Sequence, residues 1–453
     1  MREANRVQII IPKKAEYIIK TIMAAGFEAY VVGGCVRDSI LGREPEDWDI
    51  TTSATPMQVK ELFRRTIDTG IQHGTVTVML EKEGFEVTTY RIDGKYEDSR
   101  HPKEVTFTAS LREDLRRRDF TINAMAYNDR SGLVDKFGGI EDLQEKKIRC
   151  VGEATERFTE DALRMMRAVR FSAQLGFEIE KDTRDAIRRL APNLKNVSAE
   201  RIQVELVKLA ISPHPDYLRS AYETGITKVI LPEFDAAMQM PQNHPHHKYN
   251  VGEHILHSMA AIAGDKVLRL TMLFHDLGKI STRTTDEDGR DHFKGHGEVS
   301  ARMAGEILSR LKFDNDTKDK VIRLVRYHDY KIEETPAAVR RAANKIGREL
   351  LHMLFVVKRA DVAAQSGYLE AEKLATLDRL EALYAEIEQK QEPLTLKELA
   401  ITGKDLIDAG IKPGKELGDI LAGCLELVLE NPEHNTKEYL FEKIWSIFPK
   451  STS

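Results

Sequence analysis

Only three cysteines stand in the 453 residues, Cys35, Cys150 and Cys424, odd in number and widely spaced. That excludes a disulfide framework and a cysteine-ligated zinc site, and leaves any metal to histidine and carboxylate ligands. Long hydrophobic runs are missing too. No apolar stretch approaches the roughly 20 residues that a membrane helix needs, so no membrane partner is expected. The opening "MREANRVQIIIPKKAEYIIK" breaks its short apolar segment with charges and has no signal-peptide cleavage pattern, which predicts a cytoplasmic protein. The formal charge is only −5 and no long basic tail is present, so any attraction for nucleic acid must come from local clusters. Internal repeats and low-complexity tracts are absent, and no feature sets an oligomeric state. What remains is an ordinary globular composition, 41% hydrophobic and 31% charged, in a chain long enough for about two to four domains.

The texture changes near residue 145. Before it, "AYVVGG", "DWDITT", "TVTVML", "FEVTTYR" and "GLVDKFGG" read as strands by their β-branched content and flanking turns. After it, segments such as "DALRMMRAVRFSAQLG" and "SAERIQVELVKLAI" have helical spacing, the latter opened by Ser198. The stretch 232–250, "PEFDAAMQMPQNHPHHKYN", reads as a loop between helical blocks. "LATLDRLEALYAEIEQKQEP" reads as a further helix, followed by a tight interhelical turn at Gly410 and Pro413–Gly414.

The segment "GGCVRDSILGREPEDWDITTSATP", residues 33–56, carries the first chemistry. In an extended chain Asp47 and Asp49 share one face, about 7 Å apart, while Trp48 points to the other. Two carboxylates so placed repel unless a cation sits beside them, and hard oxygen ligands suit Mg²⁺ carrying substrate phosphates. Gly33 and Gly34 end the preceding strand and allow backbone N–H groups close to a triphosphate, and Arg37 can pair with phosphate oxygens.

This stretch, followed in order by "LREDLRRRDFTINAMAYN", "LVDKFGGIEDLQEKKIR" and "TEDALRMMRAVRF", resembles the class II tRNA nucleotidyltransferase and bacterial poly(A) polymerase family, a branch of the polymerase-beta-like nucleotidyltransferases. The matching motifs span roughly the first 230 residues. The resemblance implies that Asp47 and Asp49 bind catalytic Mg²⁺, that Gly34 and Arg37 hold the triphosphate, that Arg118 contacts the nucleotide and that Asp119 lies near the ribose. Glu86 is a candidate third metal-facing carboxylate. The polar segment 91–107, "RIDGKYEDSRHPKEVTF", resembles the flexible loop with which full CCA-adding enzymes switch from CTP to ATP.

Asp161, Arg164, Arg167 and Arg170 recur at intervals of three, which predicts a slowly drifting stripe along one helix side. A carboxylate only accepts hydrogen bonds and a guanidinium only donates. Cytosine and adenine both present an amino donor beside a ring-nitrogen acceptor, whereas uracil and guanine reverse that order. One Asp–Arg pair can therefore admit C and A and reject U and G. The resemblance implies this role for Asp161 and Arg164, with Arg167 and Arg170 lining the nucleotide pocket.

A second constellation lies in "GEHILHSM", "LTMLFHDLGK", "HFKGHGE", "LVRYHDY" and "KRADVAA". His275 and Asp276 are adjacent at the end of an apolar helix, a pairing that suits a divalent transition metal. These segments resemble the HD phosphohydrolase domain, which implies His254, His275, Asp276 and Asp361 as metal ligands, with His296 and His328 available for a second ion or for substrate. His257 competes with His254 for the first position.

The expected architecture is α+β. A nucleotidyltransferase palm with a small mixed sheet (1–145) precedes a helical neck and body (146–231), an HD domain (232–370) and a helical, tRNA-gripping tail (371–453). The expected activity is addition of C, C and A to the tRNA 3′ end from CTP and ATP with release of pyrophosphate. The enzymatic rivals are a poly(A) polymerase and an A-adding enzyme. A rival from another class is an HD phosphohydrolase with a degenerate RNA-binding first half.

Overall fold

The computed structural model describes residues 7–94 and 105–447. The chain divides into two compact units, Met1–Asp235 and Ala236–Ser453. The first is mixed α+β and the second almost wholly helical.

The first unit is built on a seven-stranded mixed sheet. Its strands are β1 (Ala29–Val32), β2 (Ile50–Thr52), β3 (Thr66–Gly70), β4 (Thr75–Leu80), β5 (Glu83–Thr89), β6 (Met125–Asn128) and β7 (Gly132–Asp135), in the order β3-β4-β5-β2-β1-β6-β7. All neighbours pair antiparallel except β2 and β5, which run parallel with Ile50 against Val87. Strand β1 is "AYVV", four consecutive buried residues, as befits the middle of a sheet covered on both faces. It ends where Gly33 takes φ 82°, a conformation that costs glycine nothing and other residues strain, and the helix Gly34–Ile40 turns away from there.

Two strands were not visible in the pattern. β6 lies inside the motif "TINAMAYN", and β3 is mostly exposed with an irregular register against β4. The stretch 232–250 is not all loop. Pro232–Met238 is a helix, with proline at a position where its missing N–H costs nothing and with Phe234 and Ala237 fully buried. Only the remainder is non-helical. Ser198 does stand at the N-cap of Ala199–Ala210 without a side-chain capping bond, so that helix is held by burial of Ile202, Leu206 and Leu209. Of the segment 91–107, Arg91–Asp93 and Val105–Phe107 pair antiparallel; the centre of the expected switching loop lies outside the described residues.

In the second unit a core of leucine, isoleucine and valine side chains with Tyr384 and Phe355 joins Pro336–Ile346, Arg348–Ala363, Glu370–Gln389 and Lys415–Glu430. The turn at 409–414 links Gly403–Asp408 to the last of these, with Gly410 and Gly414 both at positive φ. Among the described residues no helix is long and apolar enough to cross a membrane.

Candidate functional site

In the first unit, a cavity of about 730 Å³ opens where β1 gives way to its helix. Gly33, Gly34, Arg37, Asp47, Asp49 and Arg118 line one part of it, and Asp119, Asn123, Arg167, Arg170 and Phe171 another. Asp47 and Asp49 precede β2 and are not inside it, but the chain is already paired there, since Val32 N donates to Asp49 O at 3.0 Å. The parallel register of β2 and β5, continued one step back from Ile50 and Val87, puts Glu86 beside Asp49. Asp49 is open to solvent at the residue level, yet the cavity walls desolvate its carboxyl, and Glu86 and Asp47 add repulsion. The result is a carboxyl raised above its ordinary range despite the opposing pull of Arg118. A hard divalent cation would relieve this repulsion, but among the described residues Asp47, Asp49 and Glu86 do not bring one oxygen each within 4.8 Å of one another.

The arginines are already engaged. Arg37, 8% exposed, donates to Asn123 Oδ1 at 2.7 Å and grips Asp38 with Nε and Nη2 at 2.8 and 3.0 Å. Arg167 donates from Nε to Asp119 Oδ2 at 2.8 Å, while Asp119 Oδ1 accepts from Phe120 N and Asn123 Nδ2. Burial would raise the Asp119 carboxyl, but Arg167, Arg164 and these donors overcome it and hold it at about 2. Arg170 pairs with Glu205, Nε to Oε2 at 2.6 Å, and stacks over Phe171 at 3.9 Å. Its burial is the chief reason its basicity falls.

The expected four-residue stripe is not one stripe. The helix starts at Leu163; Asp161 precedes it in extended conformation, φ −143°, and accepts from Leu163 N at 3.1 Å. Asp161 also forms a two-pronged ion pair with Arg201, at 3.2 and 2.7 Å. Arg164 turns to Glu160 at 2.5 Å and to the carbonyls of Arg157 and Arg117. Arg167 and Arg170 line the cavity; Asp161 and Arg164 do not. The partners Arg201, Glu205, Asn123, Phe171 and Glu160 were missed in the sequence. Of these only Glu160 carries a local signal, its spacing of four from Arg164 on a helical pattern.

In the second unit five helices deliver a cluster of imidazoles and carboxylates. His254 comes from Val251–Ala260, His275 and Asp276 from the end of Lys266–Phe274, and Asp361 from Arg348–Ala363. Nε2 of His254 lies 2.8 Å from Asp361 Oδ1 and 3.3 Å from His275 Nε2. His296 begins the helix His296–Arg310 and His328 ends Asn315–Tyr327. A Cβ on Gly278 would stand 2.4 Å from His296 O, so only glycine lets the His296 helix approach the His275–Asp276 turn this closely. His254 is 1% exposed within the cluster, whereas His257 is 41% exposed at its side chain and stacks on Tyr249. Burial would raise Asp276, but His275, Lys279, His296 and His328 hold it well below the carboxylate range. A cavity of about 670 Å³ opens beside the cluster, and Lys279, Lys294, Lys331 and Lys373 give its wall a positive character.

Three family models match the chain: the poly A polymerase head domain over residues 29–149, the "Probable RNA and SrmB- binding site of polymerase A" over 176–238, and the tRNA nucleotidyltransferase domain 2 over 296–444. A CCA-adding enzyme of Lactobacillus helveticus is 38% identical over 434 residues, covering 94% of this chain and 96% of its own. One of Lactiplantibacillus plantarum is 36% identical, covering 94% of both. Among solved structures, the Bacillus stearothermophilus CCA-adding enzyme in complex with CTP superposes with a TM-score of 0.73 at 32% identity, over 97% of this chain and 99% of that one.

Proposed function

The chain belongs to the CCA-adding enzymes, a family of tRNA nucleotidyltransferases, and from that premise we propose how its residues divide the work. The protein acts in the cytoplasm, adding C, C and A to the 3′ end of tRNA from CTP and ATP. Asp47, Asp49 and Glu86 hold Mg²⁺, which when bound lowers the charge barrier to attack on the α-phosphate. Gly34 brings backbone close to the triphosphate, and Arg37 and Arg118 hold its oxygens. Asp119, fixed by Arg167, accepts from the ribose. The tRNA 3′-hydroxyl forms the new bond to the α-phosphorus, and the bond to pyrophosphate breaks. Asp161 and Arg164 read the base edge. Since Arg201 and Glu160 occupy them and neither side chain lines the cavity in this conformation, base reading requires both to turn toward it, Asp161 accepting from the base and Arg164 donating to it. The observation that carries the reading is the convergence of Asp47, Asp49, Arg118 and the Asp119–Arg167 pair on one cavity.

The test is incubation of the purified protein with Mg²⁺, tRNA lacking its 3′ end, and each nucleotide singly and together, with the products sequenced. A CCA end is expected. Runs of A would make the protein a poly(A) polymerase, and A added only after CC would make it an A-adding enzyme.

The imidazole cluster supports a second activity. Its donor set, buried nitrogens with carboxylates beside a cationic wall, suits a transition-metal ion at His254, His275, Asp276 and Asp361 and hydrolysis of phosphate esters. Release of phosphate from RNA ends carrying 2′-phosphate or cyclic phosphate, tested with Mg²⁺, Mn²⁺, Ni²⁺ and Co²⁺, checks it; no release with any of the four withdraws it.

A further inference from the structure

We propose that Asp114 is a positioning residue of the nucleotidyltransferase cavity: one buried carboxylate that ties the strand following Asp49 to Arg117 and Arg118, and so aims Arg118 at the triphosphate while leaving its donors free. This rests on the reading of Arg118 as a triphosphate contact and adds the anchor behind it.

Asp114 stands on the short helix Leu111–Arg116, is fully buried, and does not line the cavity itself. Its two oxygens have separate partners. Oδ2 accepts from Thr51 Oγ1 at 2.9 Å. Oδ1 accepts from Arg117 Nη2 at 3.0 Å, from Arg117 Nε at 3.2 Å and from the backbone N of Arg91 at 3.3 Å. Thr51 lies on β2 two residues beyond Asp49, so in that extended chain the two side chains share a face. Arg91 opens the strand Arg91–Asp93. One carboxylate therefore joins three segments that are far apart in sequence. Burial would raise Asp114, but Arg117, Arg118 and Thr51 overcome it and hold the carboxyl below its ordinary range, so the charge is present at neutral pH.

Arg118 is held differently from Arg117. Its Nη2 stands 3.7 Å from Asp114 Oδ2, near enough for attraction between charges and beyond hydrogen-bond distance. Thr51 and Arg117 have taken the short contacts. Asp114 thus fixes the guanidinium by charge without consuming its hydrogens, and among the described residues the buried Nε of Arg118 has no hydrogen-bond partner. The other side of the group is walled by the turn after β1: a Cβ on Gly33 would stand 3.3 Å from Arg118 Nη1, so glycine leaves the guanidinium its room. The neighbouring arginines are spent by comparison. Arg37, Arg167 and Arg170 donate to Asn123, Asp119 and Glu205 at 2.7, 2.8 and 2.6 Å. A guanidinium that lines the cavity, is charged, and keeps an unmatched donor is the group fitted to take phosphate oxygens. The anchor is base-blind, because the triphosphate is common to every nucleotide.

The experiment measures kcat and KM for CTP and ATP on tRNA lacking its 3′ end, with the full chain and Mg²⁺, together with inhibition by inorganic tripolyphosphate, which carries the substrate's charge without its base. Asp114→Asn should raise KM for CTP and ATP by the same factor, about tenfold, and weaken tripolyphosphate inhibition to match, because Arg118 loses the charge that aims it. Placed on Arg118→Ala, the same substitution should raise KM by less than about twofold further, as expected of residues that act through one contact. A merely structural role would lower kcat and leave KM and the inhibition unchanged, and that result would overturn the proposal. Because Asp114→Asn can misfold, Arg117→Gln is the second variant. With Arg117 gone, Oδ1 draws Arg118 onto itself, so tripolyphosphate inhibition should weaken in a folded protein; unchanged inhibition there would also overturn it. If Arg118→Ala alone left KM and inhibition as they were, the triphosphate reading would fall and the anchor with it.

Discussion

The two units assemble polar side chains for metal and phosphate in opposite ways. In the first, charge is set against charge: Arg37 on Asp38, Arg167 on Asp119, Arg170 on Glu205, Asp161 on Arg201. Asp47 and Asp49 stand where β2 begins, beside Glu86 in the middle of β5, and Glu86 and Asp47 both repel the Asp49 carboxylate. In the second unit imidazole rings are buried and aimed by backbone carbonyls at one carboxylate. The first arrangement suits a hard ion that arrives with its substrate's phosphates; the second suits an ion that resides. It also teaches where each site is vulnerable, since removal of one charge unbalances the first and removal of one ring thins the second.

The largest expected effect breaks the comparison at its first term. Asp49→Asn or Asp47→Asn should lower kcat for nucleotide addition about a thousandfold or more, because each removes a charge where charge develops during the reaction. Metal content of the imidazole cluster should not change. A rate near that of the unaltered protein in either variant would remove the cation assignment at this end.

Next comes base discrimination. Asp161→Ala should favour UTP and GTP relative to CTP and ATP by about tenfold to a hundredfold, the worth of one base contact at roughly 1 to 3 kcal/mol, while absolute activity falls. Arg201→Ala should move discrimination in the same direction by less, with Arg201→Lys restoring part of it, because Arg201 touches Asp161 and not the cavity. The measurement is kcat/KM for all four nucleotides. Unchanged discrimination against UTP in Asp161→Ala would place base reading elsewhere.

The unequal legibility of the two sites has a physical cause. That the imidazoles and carboxylates of the second unit come together could be read because they lie in short motifs with His275 beside Asp276, and the shared face of the Asp47–Asp49 pair because alternation in an extended chain is local. The arginine partners could not. Arg201 meets Asp161, and Glu205 meets Arg170, across the packing of Leu163–Leu175 on Ala199–Ala210, and no periodicity in one helix encodes which charge of another it will face. Likewise the three-residue spacing drew Asp161 into a helix that begins two residues later, because an acidic residue just before a helix has the same spacing as one inside it. Helix Pro232–Met238 was hidden by the Pro-, Asn- and His-rich chain that follows it.

Acid should break the paired charge of the first unit. Asp119 is held at about 2, below its ordinary 3.8, so its contribution to stability is complete above about pH 4 and is lost as pH falls through 2. The difference in unfolding free energy between the unaltered protein and Asp119→Asn, from urea denaturation, should therefore narrow by about 2 kcal/mol between pH 5 and pH 2. A difference that stays constant across that range would mean that Arg167 does not hold the carboxylate.

The smallest expected effect separates two histidines on one helix. His254 and His257 are three residues apart on Val251–Ala260, and the spacing alone cannot rank them. Packing does. His254 is 1% exposed, with Nε2 2.8 Å from Asp361, whereas His257 is 41% exposed and lies flat against Tyr249 at 4.0 Å. His257→Ala should leave the number of bound Ni²⁺ ions unchanged and shift stability by no more than about 0.5 kcal/mol, the usual range for a surface substitution. His254→Ala should lose an ion from the cluster. The paired measurement, metal analysis after dialysis together with urea denaturation, reads both effects on the same preparations. An ion lost from His257→Ala with its fold intact would move the first ligand one turn along the helix and out of the cluster the other side chains form.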